Sequence, residues 1–373
     1  MNALPTTMRA ARMHRVGGAM SIDTLPVPQP RPHDVLVRVR ACGIVPNLHN
    51  ILSHWNTWFP ERPLPPLPAV FGLDPVGEIV AVGAQVHAWR PGERVYVNPG
   101  RYCGGCRACR DGRHTHCPWW TFNGYFGFSD KSLQMFDDYP HGGLAEYMAA
   151  PQYALVKLPD NVSDEQAARF GYLGTAYAGL RKAGLGPGKT VLINGITGTL
   201  GLGAALLALA MGATRILGTA RNPALLERVR ALAPQRLHTL SLLDDVALDH
   251  WARDLTHGDG VDLFVDCLGP GAPHAVFQAG LRALTRGGQS VNIGAIAGDV
   301  PMDLHTMMDL QQSLIGSCWF TAGEGQDMAD MAAAGTLDLS VFEHVRFPLD
   351  RVNEAIAGIE QRHGGFSNYV VQP

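Results

Sequence analysis

From Met8 to Ala41, apolar and polar positions alternate with the period of two that marks half-buried β-strands. The clearest run is Val35-Leu36-Val37-Arg38-Val39-Arg40, preceded by Ala10-Ala11 and Met20-Ser21-Ile22. Pro26, Pro28, Pro30 and Pro32 punctuate the interval between them, and prolines at that density prevent a helix and leave an extended connector. Further short strands are predicted over 77–83 and 92–97. Short strands with Gly/Pro turns and few helices predict a β-rich, barrel-like first part.

Near Asp160 the period changes. Ser163, with Asp164 and Glu165 behind it, reads as a capped helix start. From Thr190 onward, apolar strands alternate with helical stretches. Strands are predicted at Thr190–Asn194, Arg215–Ala220, 261–267 and 289–293, and helices over 200–211, 223–232 and 273–284. Such alternation specifies an α/β, doubly wound parallel sheet. From Ser317 the pattern is mixed and ends in the strand-like Tyr369-Val370-Val371.

The length of 373 residues suggests about two domains. A content of 46% hydrophobic and 17% charged residues is globular. The formal charge of -3, with no basic run, asks for neither nucleic acid nor a membrane surface as partner. The longest apolar stretch, 200–211, is roughly half the length needed to cross a bilayer. The N-terminal MNALPTTMRAARMHR lacks the apolar core of a secretory signal, so a cytoplasmic protein is expected.

Two segments carry chemistry. In the first, Thr190–Asn194 runs into Gly195-Ile196-Thr197-Gly198-Thr199-Leu200-Gly201. Gly195 permits a tight turn, Gly198 lets backbone N–H groups approach a pyrophosphate, and Gly201 allows close helix packing. Where a NAD site would end its second strand in an acid, this chain has Ala220, Arg221 and Asn222. Loss of the carboxylate and gain of a guanidinium favour the 2′-phosphate of NADP.

The second segment is Cys103, Cys106, Cys109 and Cys117, at spacings of three, three and eight. In a chain with no export signal, four clustered thiols favour metal over disulfides, and four thiolates close a tetrahedron around one structural zinc. Arg101, Arg107, Arg110 and Arg113 would offset the negative charge of a zinc tetrathiolate. His114 and His116 read as solvated loop residues, and Cys42, Cys267 and Cys318 as small buried hydrophobes.

These features recur together with Met8-Arg9-Ala10-Ala11, the stretch 32–40, Gly92-Glu93-Arg94-Val95, Gly142-Gly143-Leu144-Ala145-Glu146-Tyr147 and the stretch 347–355. With them the chain resembles, over nearly its whole length, the medium-chain dehydrogenase/reductases, the superfamily of zinc alcohol dehydrogenases and quinone oxidoreductases. The resemblance implies a GroES-like catalytic domain from both chain ends (1–160 and 317–373, with the zinc lobe at 101–118). It implies a Rossmann NADP-binding domain at 161–316 and an active site in the cleft between the two. Thr175, Leu268 and Ile293 would join Gly195, Gly198, Thr199, Leu200, Gly201, Arg221 and Asn222 around the cofactor. A homodimer or homotetramer through the Rossmann sheet edge is implied by analogy.

The departures concern the catalytic metal. At the three ligand positions of the zinc alcohol dehydrogenases this chain carries Val45, Leu73 and Gly171, none of which can bind a metal. The stretch 72–80, with Gly72-Leu73-Asp74, instead resembles the Gly-x-Asp motif of zinc-free quinone and enone reductases. Without a Lewis acid, hydride transfer needs hydrogen-bond donors or an already polarised substrate. Asn47 and His49 follow the vacant first position and Tyr172 adjoins the third, so these three are the candidate catalytic donors. Aromatic runs at 54–59 and 119–128 would either shape a pocket for an apolar or aromatic small molecule or pack a long loop. The expected activity is NADPH-dependent reduction of an activated C=C bond, a quinone or a reactive carbonyl. The alternatives are a zinc alcohol dehydrogenase with displaced ligands such as His49, His54 and Asp74, and a non-catalytic NADPH-binding protein.

Overall fold

In the computed structural model, which describes residues 4–58 and 60–373, the N-terminal alternation becomes antiparallel pairing. Strand Thr7–Met13 lies between Ser21–Pro26 and Ala69–Val70. The longest of the early strands, Asp34–Gly43, is the hub of a seven-stranded sheet. One edge pairs with Asp74–Val82; the other pairs with Tyr147–Pro151 near its start and with Ser367–Gln372 near its end. Arg94–Val97 and Leu155–Lys157 extend the sheet on one side, and Glu343–Pro348, parallel to Ser367–Gln372, closes it on the other. The last strand of the chain therefore completes a sheet begun by Asp34–Gly43.

Between these ends lies a six-stranded parallel sheet. Its spatial order is Leu237–Ser241, Arg215–Ala220, Thr190–Asn194, Val261–Asp266, Leu284–Asn292, Ser313–Gly316. Helices cover both faces, which is why Val191, Leu192 and Ile193 are all fully buried and show no alternation. The order reverses between Thr190–Asn194 and Val261–Asp266, and that switch point opens a crevice at the carboxyl ends of the strands. The expected helices appear as Thr199–Ala210, Pro223–Ala231 and His274–Arg282, and Ser163 closes a capping box with Gln166. Several elements go beyond the sequence pattern. Leu237–Ser241 and Ser313–Gly316 are short and partly polar, and Ala322–Ala333 is a helix started by a Thr321–Glu324 capping box inside the tail read as mixed.

Helix Phe170–Lys182 joins the two parts. Its glycines permit close approach: a Cβ at Gly174 would overlap the ring of Phe320, and one at Gly179 would sit 2.9 Å from Ile293. Opposite it, a Cβ at Gly203 in the nucleotide helix would stand 3.3 Å from Leu173. Among the described residues no helix is long and apolar enough to cross a membrane.

Candidate active site

At the nucleotide turn, Gly195 adopts φ +75°, a conformation that favours glycine. A Cβ on Gly201 would lie 2.6 Å from the Gly195 carbonyl carbon, so only glycine seats helix Thr199–Ala210 this closely. The helix N-cap is Gly198, which has no side chain to satisfy the first-turn amides. Thr199 and Leu200 are half-buried at this positive helix end, an arrangement suited to a pyrophosphate. Leu268 packs against the turn, 3.2 Å from the position of a Gly195 Cβ, and Ile293 follows the end of strand Leu284–Asn292. Arg221 is exposed and makes no hydrogen bond or ion pair among the described residues, so its fork is free for a ligand. Asn222 is partly committed: its Oδ1 caps helix Pro223–Ala231 by accepting the Leu225 N–H at 3.1 Å. Thr175 is committed too, donating its hydroxyl to the Gly171 carbonyl at 2.9 Å.

One feature of this turn was not apparent in the sequence pattern. The segment 362–365 folds back over it, the Gly365 N–H donating to Thr197 O at 2.8 Å. The Gly364-Gly365 pair signals the approach, since a Cβ on Gly365 would lie 2.7 Å from that of Leu202. Exposed Arg362, three residues before Gly365, donates to Ile359 O at 3.0 Å.

Of the three candidate donors, two meet. Asn47 Oδ1 accepts the Tyr172 hydroxyl at 3.2 Å and the Tyr125 hydroxyl at 2.5 Å. His49 lies exposed on helix Leu48–Trp58 and makes no side-chain hydrogen bond among the described residues. Tyr125 was not singled out as a donor because it sits inside the 119–128 aromatic run. Most of that run packs on itself: Phe122 meets Phe126, Phe128 and Trp319 with centroids 5.3, 4.9 and 4.7 Å away. From the other run, Trp55 is buried 4.8 Å from Phe126, while Phe59 and the side chain of Trp58 lie outside the described residues. The aromatic stretches thus chiefly pack the loop, and Tyr125 is the member that reaches Asn47.

Beneath this trio, Val45, Leu73 and Gly171 are all buried. Among the described residues, the one group of His, Cys, Asp and Glu able to share an ion is Cys103, Cys106, Cys109 and Cys117; His49, His54 and Asp74 do not form another. The Asp74 carboxyl accepts the Tyr96 hydroxyl at 2.8 Å in the fully buried interior.

In the cysteine lobe, all four sulfurs lie within 4.8 Å of one another, with separations of 3.5 Å (Cys106–Cys109), 3.6 Å (Cys117–Cys103) and 3.9 Å (Cys106–Cys117). A tetrahedron with Zn–S of about 2.3 Å requires S···S near 3.8 Å, so the set fits zinc. The amides of Cys103 and Trp119 point at Cys117 Sγ and that of Cys106 at Cys103 Sγ, each at 3.4 Å, orienting the sulfurs. The surrounding arginines correct one expectation. Arg101 turns into the protein core, fully buried, donating to Asn98 O at 2.6 Å beneath the Tyr139 ring, and Arg107 and Arg113 pair with Asp111. His114 stacks on Tyr102, centroids 4.2 Å apart. Cys42 is buried as expected, but Cys318 is exposed.

This architecture, a β-rich domain closed by both chain ends around a Rossmann sheet, defines a two-domain nucleotide-dependent oxidoreductase. Residues 31–160 match the alcohol dehydrogenase GroES-like domain family and residues 199–334 the zinc-binding dehydrogenase family. The chain is 28% identical to a sorbitol dehydrogenase of Bacillus subtilis (strain 168), covering 95% of this chain and 94% of that one. It is 29% identical to an L-threonine 3-dehydrogenase of Anaeromyxobacter sp. (strain K), covering 93% of each. Among solved structures it is similar to AibC (TM-score 0.81, 26% identity, 99% of this chain and 96% of that one). It is also similar to an NAD-dependent alcohol dehydrogenase (TM-score 0.80, 27% identity, 98% and 100%). The chain belongs to the medium-chain dehydrogenase/reductase superfamily of alcohol dehydrogenase-like oxidoreductases.

Proposed function

We propose that this chain is an NADPH-dependent reductase of activated C=C bonds (enones or enals), quinones or reactive carbonyls, working without a catalytic zinc and holding one structural zinc on Cys103, Cys106, Cys109 and Cys117. The observation that carries the reading is the double clamp on Asn47. An amide oxygen that already accepts two phenol hydrogens directs its Nδ2–H₂ group away from them, and Asn47 is an exposed residue. The amide is thereby presented as a donor to a substrate oxygen, and it strengthens as negative charge builds there. Tyr125 and Tyr172 position it, each spending its hydroxyl hydrogen on the Asn47 oxygen. Val45 and Leu73 place apolar surface where metal ligands would stand, which suits a conjugated substrate better than an unactivated alcohol.

NADPH, when bound, supplies the hydride. Gly198, Thr199, Leu200 and Gly201 would hold its pyrophosphate through backbone amides. Arg221 would take the 2′-phosphate, and the missing acid at Ala220 removes the repulsion that a NAD-type site would impose. Among the described residues, strand Ser313–Gly316 leaves one edge of the Rossmann sheet unpaired, next to exposed Leu304, Met308 and Leu314, and there a second copy would form a homodimer or homotetramer in the cytoplasm.

The test is zinc content after washing with EDTA, read beside NADPH oxidation with an enone and an aldehyde. One zinc per chain with activity surviving the wash is expected. Two zincs, with activity lost as the second departs, would overturn the reading in favour of an alcohol dehydrogenase with displaced ligands.

A further inference from the structure

The proposed chemistry leaves one buried acid unused. Asp74 opens strand Asp74–Val82 and is 1% exposed, a costly place for a carboxylate. It accepts the Tyr96 hydroxyl at 2.8 Å and lies against the backbone of Gly171, in the first turn of helix Phe170–Lys182. The contact with Gly171 is so close that a Cβ there would overlap Oδ1 and stand 2.7 Å from Oδ2. The position where zinc alcohol dehydrogenases carry their third ligand is therefore filled by the Asp74 carboxyl. No larger residue fits at 171 while Asp74 keeps this place, and a catalytic metal does not fit the residues present.

The groups that face this carboxyl come from every element around it. They are Tyr96 from strand Arg94–Val97, Cys42 from Asp34–Gly43, Arg169 just ahead of the helix, Tyr172 in its first turn, and Tyr125 from the aromatic loop. Arg362 lies near Arg169 and Tyr172. Arg169 also donates to Gly365 O at 2.9 Å, and Gly365 N–H donates to Thr197 O, so the acid is linked by contacts to the nucleotide turn. Burial holds the phenols of Tyr172 and Tyr125 above the usual range, and a charged Asp74 adds to that. An anion beneath them opposes negative charge in the space they face; a neutral acid does not.

We infer that Asp74 is a positioning residue for the reaction: its carboxyl takes the place of the absent metal-ligand side chain, and its charge state governs how well the Asn47 amide, held by Tyr125 and Tyr172, accommodates an oxyanion. This inference rests on the reductase reading above. Burial pushes the Asp74 pKa up to about 7, against the Tyr96 hydrogen bond, the Arg169 charge and the Gly171 amide, which pull it down. Below that pH the acid is neutral and reduction is favoured; above it the anion accumulates and the rate falls.

The experiment is the pH profile of kcat/KM for enone reduction, between about pH 5 and pH 9, in the wild type, Asp74→Asn and Tyr96→Phe. The wild type is expected to lose activity as pH rises through about 7. Asp74→Asn, which cannot ionise, is expected to lack that limb. Tyr96→Phe removes a hydrogen bond to the anion and is expected to move the limb to higher pH, by about one unit. Infrared difference spectra between about pH 6 and pH 8 read the buried acid without any substrate, so they separate a failure here from a failure of the reductase reading. A protonated carboxyl band lost on raising the pH is expected, and in Asp74→Asn it should shrink to the part contributed by Asp266, the other buried acid whose pKa burial raises, to about 6. An unchanged limb in Asp74→Asn, or a wild type with no such band, overturns the inference. Should Asp74→Asn not fold, a limb that stays in place in Tyr96→Phe overturns it as well.

Discussion

The cysteine lobe draws its four sulfurs from fifteen consecutive residues, whereas the cleft gathers Asn47, Asp74, Tyr96, Tyr125 and Tyr172 from five separate segments. The lobe is closed locally: its loop is short, its amides point at its own sulfurs, and the ion it fits would tie the ends together. The cleft is closed by tertiary packing alone. The Asn47 clamp forms only when the helix after Gly43, the aromatic loop and helix Phe170–Lys182 are all docked. The difference predicts where each region is fragile. The lobe should fail all at once with its ion, and the cleft should fail by steric and electrostatic increments at single atoms.

The largest effect is expected from Cys117→Ser. Three thiolates and a hydroxyl hold zinc poorly, and structural zinc contributes on the order of 10 kcal/mol to small sites. Zinc content should fall from one per chain toward zero, and Tm should drop by roughly 10 °C or more. The Rossmann sheet lies in a different part of the chain, so NADPH binding should persist. Mass spectrometry of the native protein and a thermal melt check this; a variant that keeps its zinc and its Tm would break the contrast between the two regions.

Next comes Gly171→Ala. One methyl group must enter space held by the Asp74 oxygens, and neither the helix start nor the buried acid has room to retreat. A loss of about 3 kcal/mol is expected in urea denaturation. Truncating the acid in the same chain, as Gly171→Ala with Asp74→Ser, should recover part of that loss. The two substitutions should thus couple by about 1 to 2 kcal/mol, with simple additivity as the outcome that removes Asp74 from the ligand position.

These two predictions also mark how far the sequence could be read. The cysteine spacing, the three-glycine turn and the strands Thr190–Asn194 and Arg215–Ala220 rest on local rules, so they were legible residue by residue. That both chain ends build one domain came only from resemblance, and the pairing of Ser367–Gln372 with Asp34–Gly43 was not legible, because no local pattern encodes which strands will meet. Asn47 and Tyr172 could be nominated as neighbours of vacant ligand positions. Their clamp could not, since its second phenol, Tyr125, looks like every other aromatic in its run. Arg101 shows the opposite error: adjacency to the cysteines suggested a charge role, yet the backbone turns it into the core. Charge near a site in sequence says little about the direction in which a side chain leaves the chain.

The smallest effect, and the finest test of the contrast, concerns Arg221. Its context is local and legible, like the lobe, yet its partner is a ligand from outside, as in the cleft. A free, exposed guanidinium can make two charge-assisted hydrogen bonds to a 2′-phosphate, together worth roughly 1.5 to 3 kcal/mol. Arg221→Ala should therefore weaken NADPH about 10- to 100-fold and leave NADH almost unchanged, because NADH carries no 2′-phosphate. Being exposed, the pair is screened, so the gap between the two cofactors should narrow as salt is raised. Fluorescence titration of both cofactors at low and high salt reads all of this at once. Equal loss for NADPH and NADH would mean that Arg221 supports the turn as the lobe arginines support theirs, and selectivity would then have to come from the Asn222 amide hydrogens that its cap leaves free.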